Sequence, residues 1–275
     1  MSNVVAKVVR NGRVESVHRG HVAVVDAHGN LLASAGDPTC RTYMRSAAKP
    51  FQFMPLLVDG LDRVYHFTSK ELAIMISSHN GEPLHVQAVA SILKKADLSP
   101  NHLRCGFHLP LHKASADDFL KQETAPSPLF NNCSGKHAGM LVMSRHHGWP
   151  LESYLDPAHP VQVRIKETIA RFSVLDEQDI EVGVDGCSAP VFYLPVSNMA
   201  RMFANLSAGQ EEATARVFDL MAGHPEMIAG TGRFDTDLMR VTKGRMVSKV
   251  GAEGIRCVGM RGKPPLGIAL KVEDG

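Results

Sequence analysis

Two Ser-x-x-Lys sequences could supply a serine nucleophile together with its base. The first is Ser46-Ala-Ala-Lys49 and the second is Ser91-Ile-Leu-Lys94. A serine hydroxyl is a poor nucleophile until a neighbouring base takes its proton, and a lysine does so only where burial or nearby positive charge favours its neutral form. On a helix this spacing puts both side chains on one face. The chemistry that such a pair serves is acyl transfer.

The neighbouring residues distinguish the two pairs. Ser46 lies where a helix is predicted to begin, so its oxygen would be close to unpaired backbone N–H groups and to the positive end of the helix dipole. Lys94 is followed by further charged residues on the solvated side of an amphipathic helix. We therefore predict that Ser46 is catalytic and that Ser91 is not. The alternative is that Ser46 is only a helix N-cap and Lys49 a solvated side chain.

Two further polar segments complete the pattern of a serine enzyme with a lysine base. ISSHNGE supplies Ser78 and Asn80 directly after an apolar run that ends a predicted helix, and SKVGAEG supplies Lys249 in a predicted strand. Each segment alone is a weak signal, because polar residues after a helix usually cap it and strand lysines are usually solvated. We predict that Lys49 is buried, neutral and close to Ser46, with Ser78 and Lys249 approaching from the other side.

The hydrophobic pattern predicts the elements that must position these residues. The first 36 residues alternate short valine-rich runs with turn residues, which indicates an antiparallel meander, and strand-like runs return over 246–250, 254–260 and 266–272. The period between them is helical, with candidates over 46–58, 69–78, 84–96, 134–147, 160–172, 196–206 and 211–222. We predict a single α/β domain over 1–275, in which an antiparallel sheet from both chain ends (1–45 and 245–275) carries an inserted, mainly helical lobe (46–244).

Composition excludes several classes of protein. The formal net charge is +2, and no basic segment is interleaved with aromatic residues, so nucleic-acid binding is not expected. No apolar run approaches the roughly 20 residues that cross a bilayer, and the first residues lack the pattern of an export signal. We therefore expect a cytoplasmic protein without a membrane partner. The five cysteines would remain reduced there.

Cys133 and Cys187 each lie in a turn of small residues, within NNCSGKHAGM and DGCSAP. Two thiolates with a nearby nitrogen or oxygen ligand suit zinc. No Cys-x-x-Cys pair is present, and free cysteines are commonly buried without any metal, so the spacing leaves both readings open. A zinc site requires the two sulfurs to converge on one centre.

Taken together, six segments resemble the asparaginase II family of the rhizobial inducible and constitutive type, whose fold is similar to that of serine β-lactamases and glutaminases. These segments are RSAAKPFQ, SSHNGE, NNCSGKHAGM, DGCSAP, GTGRFDTDLM and KVGAEG. The resemblance runs from about Val5 to Gly275. Family members continue through a further helix and strand beyond the closing GIALKVEDG, so we expect either a naturally short form or a sheet that lacks an edge element.

The resemblance implies roles for named residues. It implies two Ser-Lys tandems, Ser46 with Lys49 and Ser78 with Lys249. It also implies one zinc ion per chain and a substrate pocket beside it, and we expect a homodimer. The zinc ligands would be Cys133, Lys136 and Cys187, and the substrate-binding residues would be Arg45, Asn80, His137 and Asp185.

The leading hypothesis is an amidohydrolase that releases ammonia from L-asparagine through an acyl-enzyme. Of the two serines, the sequence favours Ser46 as the nucleophile, although two Ser-Lys tandems in one pocket could exchange roles. A glutaminase or a penicillin-recognising hydrolase on the same fold is the alternative, and the absence of a Ser-Asp-Asn triplet weighs against the latter. A non-catalytic protein that binds zinc or an amino acid is the third hypothesis.

Overall fold

The computed structural model describes residues 1–275 and contains two antiparallel sheets. The larger sheet has six strands in the order β1-β2-β9-β8-β7, with β3 also paired to β2. The first and last segments of the chain thus share one sheet, which confirms the predicted α/β fold. The strands are β1 (Asn3–Arg10), β2 (Arg13–Asp26), β3 (Leu31–Ala35), β4 (Arg41–Tyr43), β5 (Glu181–Val184), β6 (Pro190–Pro195), β7 (Met246–Gly251), β8 (Ile255–Met260) and β9 (Leu266–Val272).

Eleven helices lie between the first and last strands of this sheet, and none is long and apolar enough to cross a membrane. The seven helices predicted from periodicity all form, with ends shifted by a few residues. Four short helices, α2, α5, α10 and α11, were missed. The helices are α1 (Lys49–Val58), α2 (Leu61–Val64), α3 (Ser69–Ile76), α4 (Pro83–Lys95), α5 (Lys113–Lys121), α6 (Ser134–His147), α7 (Pro160–Ser173), α8 (Val196–Ala208), α9 (Glu212–Gly223), α10 (Pro225–Ile228) and α11 (Phe234–Val241).

The structure differs from the sequence prediction in its strands at two places. A second sheet, in the order β4-β6-β5, lies largely within the region predicted to be helical. In addition, β2 is one continuous strand where two were predicted, because Gly20 pairs with Asn3 on one side and with Val272 on the other. Hydrogen bonding from both neighbours keeps the strand extended across a residue that usually weakens it.

One contiguous hydrophobic core joins the large sheet to the helices. Phe51 in α1 packs against Phe172 of α7 and Phe203 of α8, with ring centroids 5.6 and 5.5 Å apart. Packing from two helices fixes α1 within the core. Its first residue, Lys49, is therefore held inside the protein rather than at the surface.

Candidate active site and adjacent thiol cluster

Ser78 lies between two buried lysines. The helix before it, α3, begins with a capping box between Thr68 and Glu71, and the chain turns extended at Ser77. The backbone N–H of Ser78 donates to the carbonyl of Ile228 at 2.9 Å, which fixes the segment. The Ser78 Oγ then lies 2.9 Å from Lys49 Nζ and 2.8 Å from Lys249 Nζ. One hydroxyl thus contacts both amines.

Lys49 begins α1 and has no exposed surface. Besides its contact with Ser78, its Nζ donates to the carbonyls of Ser77 at 2.5 Å and of Asn132 at 3.4 Å. Burial lowers the pKa of Lys49, although the nearby Cys133 opposes the effect. The predicted burial of Lys49 is confirmed.

Lys249 lies in β7 and is also fully buried. Its Nζ is 2.9 Å from the carbonyl of Val250. Burial, and then the charge of Lys49, hold the pKa of Lys249 well below its ordinary value. Gly251 allows β7 to approach the turn before Ser46, because a Cβ at position 251 would lie 2.9 Å from the Met44 carbonyl oxygen. The glycine of the Lys-x-Gly segment is therefore a steric requirement.

Asp235, at the start of α11, fixes β7 on both sides of Lys249. It accepts hydrogen bonds from Ser248 Oγ at 2.6 Å and from the backbone N–H of Val250 at 2.8 Å, and it pairs with Arg256. These contacts set the direction in which the Lys249 side chain leaves the strand. Sequence reasoning assigned no role to Asp235, because an acidic residue in the first turn of a helix is ordinary.

Ser46 lies in a short 3₁₀ turn over Arg45–Ala48, just before α1. Its hydroxyl is half-buried and makes no hydrogen bond, and the cap positions are held by Met44 and Ala48. The alternative of a helix-capping serine beside a solvated lysine is therefore wrong. The hydroxyl that the Lys49 amine contacts is that of Ser78 and not that of Ser46. The sequence had predicted that Lys49 lies close to Ser46. The catalytic role of Ser46 stays a prediction.

The second Ser-x-x-Lys sequence lies away from these residues. Ser91 donates its hydroxyl hydrogen bond to Glu71 at 2.7 Å, and Lys94 is exposed on α4. The serine supports the capping of α3 through Glu71, and the lysine is solvated. This arrangement agrees with the interpretation of the pair as a sequence coincidence.

A cluster of two thiols and one amine lies beside the two lysines. Lys136 Nζ is 3.2 Å from Cys187 Sγ, and Cys133 and Cys187 are close enough for each to shift the pKa of the other. A Cβ on Gly135 would lie 2.0 Å from the Ile74 carbonyl, so this glycine lets the start of α6 approach the end of α3. The predicted approach of the two cysteines is confirmed.

The charges in this cluster are strongly coupled. The hydrogen bond from Cys187, and then the charges of Lys49 and Lys136, hold the pKa of Cys133 well below its ordinary value. The same hydrogen bond, together with burial, raises the pKa of Cys187. Burial opposes protonation of Lys136, but the two cysteines raise its pKa overall. The directions of these shifts favour the charged forms of Cys133 and Lys136 and the neutral form of Cys187.

Of the four residues predicted to bind substrate, Arg45 and Asp185 form an ion pair. The Arg45 guanidinium donates from Nε at 2.9 Å and from Nη2 at 2.7 Å to Asp185 Oδ1. Arg45 has a φ of 50°, a strained backbone conformation that recurs at functional sites. The charges of Lys136 and Arg45 outweigh burial and lower the pKa of Asp185.

The other two, Asn80 and His137, are buried. Asn80 Nδ2 donates to the Thr231 carbonyl at 3.0 Å. His137 Nδ1 contacts Tyr154 Oη at 2.7 Å, whereas its Nε2 is buried without a partner. Burial, and then the charges of Lys136 and Lys49, hold the pKa of His137 well below 6.5, so its imidazole is neutral. Its Nε2 therefore has an unused hydrogen-bonding position.

A buried hydroxyl flanked by two buried amines combines the two groups that nucleophilic catalysis needs, a hydroxyl and an adjacent base. The chain belongs to the L-asparaginase II family, whose sequence profile matches residues 6–275. Membership of this family supports amidohydrolase activity.

Solved structures similar to this chain share little sequence with it. The native form of a protein named Mglu is 14% identical over 94% of this chain, with a TM-score of 0.43, and this chain spans 60% of its length. A probable glutaminase from Bacillus subtilis, in complex with 6-diazo-5-oxo-L-norleucine, is 11% identical over 93% of this chain and 77% of its own, with a TM-score of 0.42. A search of curated proteins finds no match. Similarities at this level do not establish a common function.

Proposed function

We propose that this protein is an L-asparagine amidohydrolase that releases ammonia and L-aspartate through an acyl-enzyme on serine. The observation that carries the proposal is the position of Ser78 Oγ, within 2.9 Å of Lys49 Nζ and 2.8 Å of Lys249 Nζ. Neither lysine forms an ion pair with a carboxylate, so the amines are available for proton transfer. Family membership supports the same class of reaction.

Hydrogen-bond capacity assigns different tasks to the two lysines. An ammonium group has three donors and no acceptor, and Lys49 Nζ has three oxygen acceptors around it. Lys249 Nζ has one carbonyl acceptor, that of Val250, besides Ser78. A neutral Lys249 would donate to this carbonyl and accept the Ser78 proton. We therefore assign the base to Lys249 and the stabilising charge to Lys49, whereas the sequence favoured Lys49 as the base.

The reaction follows from this assignment. Lys249 takes the hydroxyl proton as Ser78 Oγ attacks the side-chain carbonyl carbon of asparagine. The tetrahedral intermediate expels ammonia, which leaves with the proton from Lys249, and an ester to Ser78 remains. Water then attacks the ester while Lys249 takes one of its protons, and that proton returns to Ser78 Oγ as aspartate leaves.

The oxyanion of the intermediate needs donors, and the backbone N–H of Ser78 is already bonded to Ile228. We assign one donor to the Ser46 hydroxyl, which makes no hydrogen bond within the protein and lies three residues before Lys49. Ser46 would then remain catalytic, with Ser78 as the nucleophile. His137 Nε2 and the Asp185 carboxylate offer further polar contacts to a bound amino acid, and Arg45 and Asn80 hold the surrounding segments in place.

The deciding experiment measures ammonia release from L-asparagine beside L-glutamine and a chromogenic β-lactam. We expect turnover of asparagine in preference to both. Faster turnover of glutamine would make glutamine the substrate and leave the proposed mechanism unchanged. Hydrolysis of the β-lactam alone would identify a penicillin-recognising enzyme. No turnover of any of the three, in a folded protein that binds asparagine, would favour the non-catalytic alternative.

The thiol cluster would hold zinc through Cys133, Lys136 and Cys187. Lys136 contacts Cys187, Cys133 lies beside them, and all three side chains are nearly fully buried, and two sulfurs with one nitrogen suit zinc. No third His, Cys, Asp or Glu is placed to join them. When bound, zinc would supply positive charge beside the substrate pocket.

All five cysteines are free, which suits the reducing cytoplasm that we expect.

Zinc content tests this assignment directly. Protein purified without chelator should carry about one zinc per chain, and Cys187→Ser should lose most of it because a thiolate ligand is removed. Cys40→Ser is the matched control, since Cys40 is half-buried and outside the cluster. Binding must displace protons from Cys187 and Lys136, so affinity should weaken as the pH falls. Equal zinc in the two variants, or none in the parent protein, would contradict the site.

We also propose that the protein is a homodimer. The β1–β2 hairpin exposes Val8, Val9, Val14 and Val17, and β1 is an edge of the large sheet. An unpaired edge carrying apolar side chains favours pairing with a second copy. Light scattering after gel filtration should give twice the chain mass of 29.9 kDa, and Val9→Lys with Val14→Lys should shift it to the monomer. A monomeric parent protein would contradict the proposal.

A further inference from the structure

Arg233, beside the active site, has no carboxylate partner. Its Nη1 donates to Asn80 Oδ1 at 2.9 Å, and it takes part in no ion pair. The other two arginines bordering the site differ, because Arg45 pairs with Asp185 and Arg256 with Asp235. A guanidinium stays charged at any pH at which the protein is folded. The positive charge of Arg233 is thus unbalanced by the protein.

The guanidinium is held in a fixed position relative to Ser78. Arg233 precedes α11 at the end of the turn that follows α10. This turn is bound through Thr231 to Glu82, whose carboxylate accepts from the Thr231 N–H and from its hydroxyl, each at 2.8 Å. The last residue of α10, Ile228, accepts the hydrogen bond from the Ser78 N–H. The turn and the Ser78 segment are therefore joined by hydrogen bonds.

Asn80 connects the two segments with both ends of its side chain. Its Oδ1 accepts from Arg233, and its Nδ2 donates to the Thr231 carbonyl at 3.0 Å. Only 2% of Asn80 is exposed, so the amide orients the guanidinium from inside the protein. Arg233 itself is half-buried, and Asp235, two residues further along the chain, bonds Ser248 and Val250 on either side of Lys249. The guanidinium is thus bound through Asn80 to the segment that carries Ser78, and part of it is exposed to solvent.

A guanidinium has five N–H donors, and Asn80 uses one of those on Arg233. The remaining donors match a carboxylate, which guanidinium groups bind in a bidentate manner. An amino-acid amide carries its reacting carboxamide and its α-carboxylate on one short chain. We propose that Arg233 binds the α-carboxylate of the substrate and restricts the enzyme to amides that bear a free carboxylate. This inference rests on the proposed amidohydrolase function.

The experiment compares two amides in three variants. L-Asparagine carries the carboxylate, and 3-aminopropanamide is the same molecule without it. Arg233→Gln should raise KM for asparagine by about 10- to 100-fold, the loss expected for a charge-assisted contact, and Arg233→Lys should recover part of it. The kcat/KM for 3-aminopropanamide should not change. Arg240→Gln, in the helix α11 that Arg233 precedes and exposed, is the matched control and should behave as the parent protein.

Equal losses for both amides would make Arg233 a structural residue and overturn the proposal, as would an unchanged KM for asparagine. A binding measurement separates this outcome from failure of the proposed function. In calorimetry, L-aspartate should bind the parent protein at least 10-fold more tightly than it binds Arg233→Gln, whereas 3-aminopropanoic acid should bind both alike. If the parent protein hydrolyses no amide, the function fails but aspartate binding still tests Arg233. Absence of aspartate binding, or equal binding to both proteins, overturns the proposal.

Discussion

Replacing Ser78 with alanine should lower kcat for asparagine by roughly 10⁴-fold or more, the scale seen when a catalytic nucleophile is removed. The Ser78 hydroxyl is the group that both lysine amines contact. Its loss removes the nucleophile and also the oxygen that the two amines share. The substitution deletes one oxygen and leaves the helix before it intact. The cost in folding should be about 1–3 kcal/mol, since two buried amines lose an acceptor. Ammonia release and the thermal transition measure the two effects.

Two other serines provide the controls for this variant. Ser46→Ala should lower kcat by about 10²- to 10³-fold, the usual effect of removing one oxyanion donor. Ser91→Ala should keep full activity, because that hydroxyl bonds Glu71 on a different face of the lobe. If Ser46→Ala abolishes turnover while a folded Ser78→Ala retains most of it, the nucleophile is Ser46, as the sequence favoured.

Lys249→Met should reduce kcat by about 10²- to 10⁴-fold, the contribution of a general base, and at the same time stabilise the protein at neutral pH. Met keeps the length of the side chain and removes the amine. The folded-state pKa of Lys249 lies well below the ordinary value of 10.5, mainly because of burial. Between these two values the unfolded chain holds a proton that the folded chain lacks. The folded state is therefore penalised as the pH falls from the unfolded pKa toward the folded one.

The pH dependence distinguishes this explanation from simple repacking. The gain in stability of Lys249→Met over the parent protein should be largest near neutral pH and should shrink as the pH approaches 10.5. Activity of the parent protein should fall in acid as Lys249 takes up a proton, with a midpoint far below that of an ordinary lysine. Lys94→Met, in the exposed second Ser-x-x-Lys sequence, should change neither activity nor stability. Full activity of Lys249→Met would contradict the base assignment.

Much of the fold followed from local pattern. The valine-rich alternation near the first residues and the strand-like runs near the last ones predicted which segments form the large sheet. Apolar residues at every second position indicate a strand with one buried face. The long helices were also predictable from their apolar spacing. The short helices were not, since α2 and α10 span four residues each and offer too few positions for a period to appear. The β4-β6-β5 sheet was missed for the same reason, with β4 only three residues long.

The residue types of the site could also be recognised in the sequence. Ser46, Lys49, Ser78 and Lys249 were named from their motifs, and the structure brings Ser78 and the two lysines within hydrogen-bond distance. Gly251 belongs to the same signal, because its missing side chain is what lets β7 approach the turn before Ser46. Arg233 was missed because arginine in a glycine-rich turn is common, and only its position beside Asn80 distinguishes it.

The sequence by itself determined the long helices, the strands of the large sheet, the kinds of reactive group and the two cysteine turns, since each of these depends on residues close together in the chain. Tertiary structure decided which of the reactive groups contact one another. Lys49 lies three positions from Ser46, yet its amine bonds Ser78, which is 29 positions away, and Lys249 reaches the same oxygen from 171 positions away. Helix geometry places the residues at i and i+3 on one face, but the direction of a buried lysine is set by the acceptors that satisfy its amine. Those acceptors come from segments that only the packing of α1, α3 and β7 brings together.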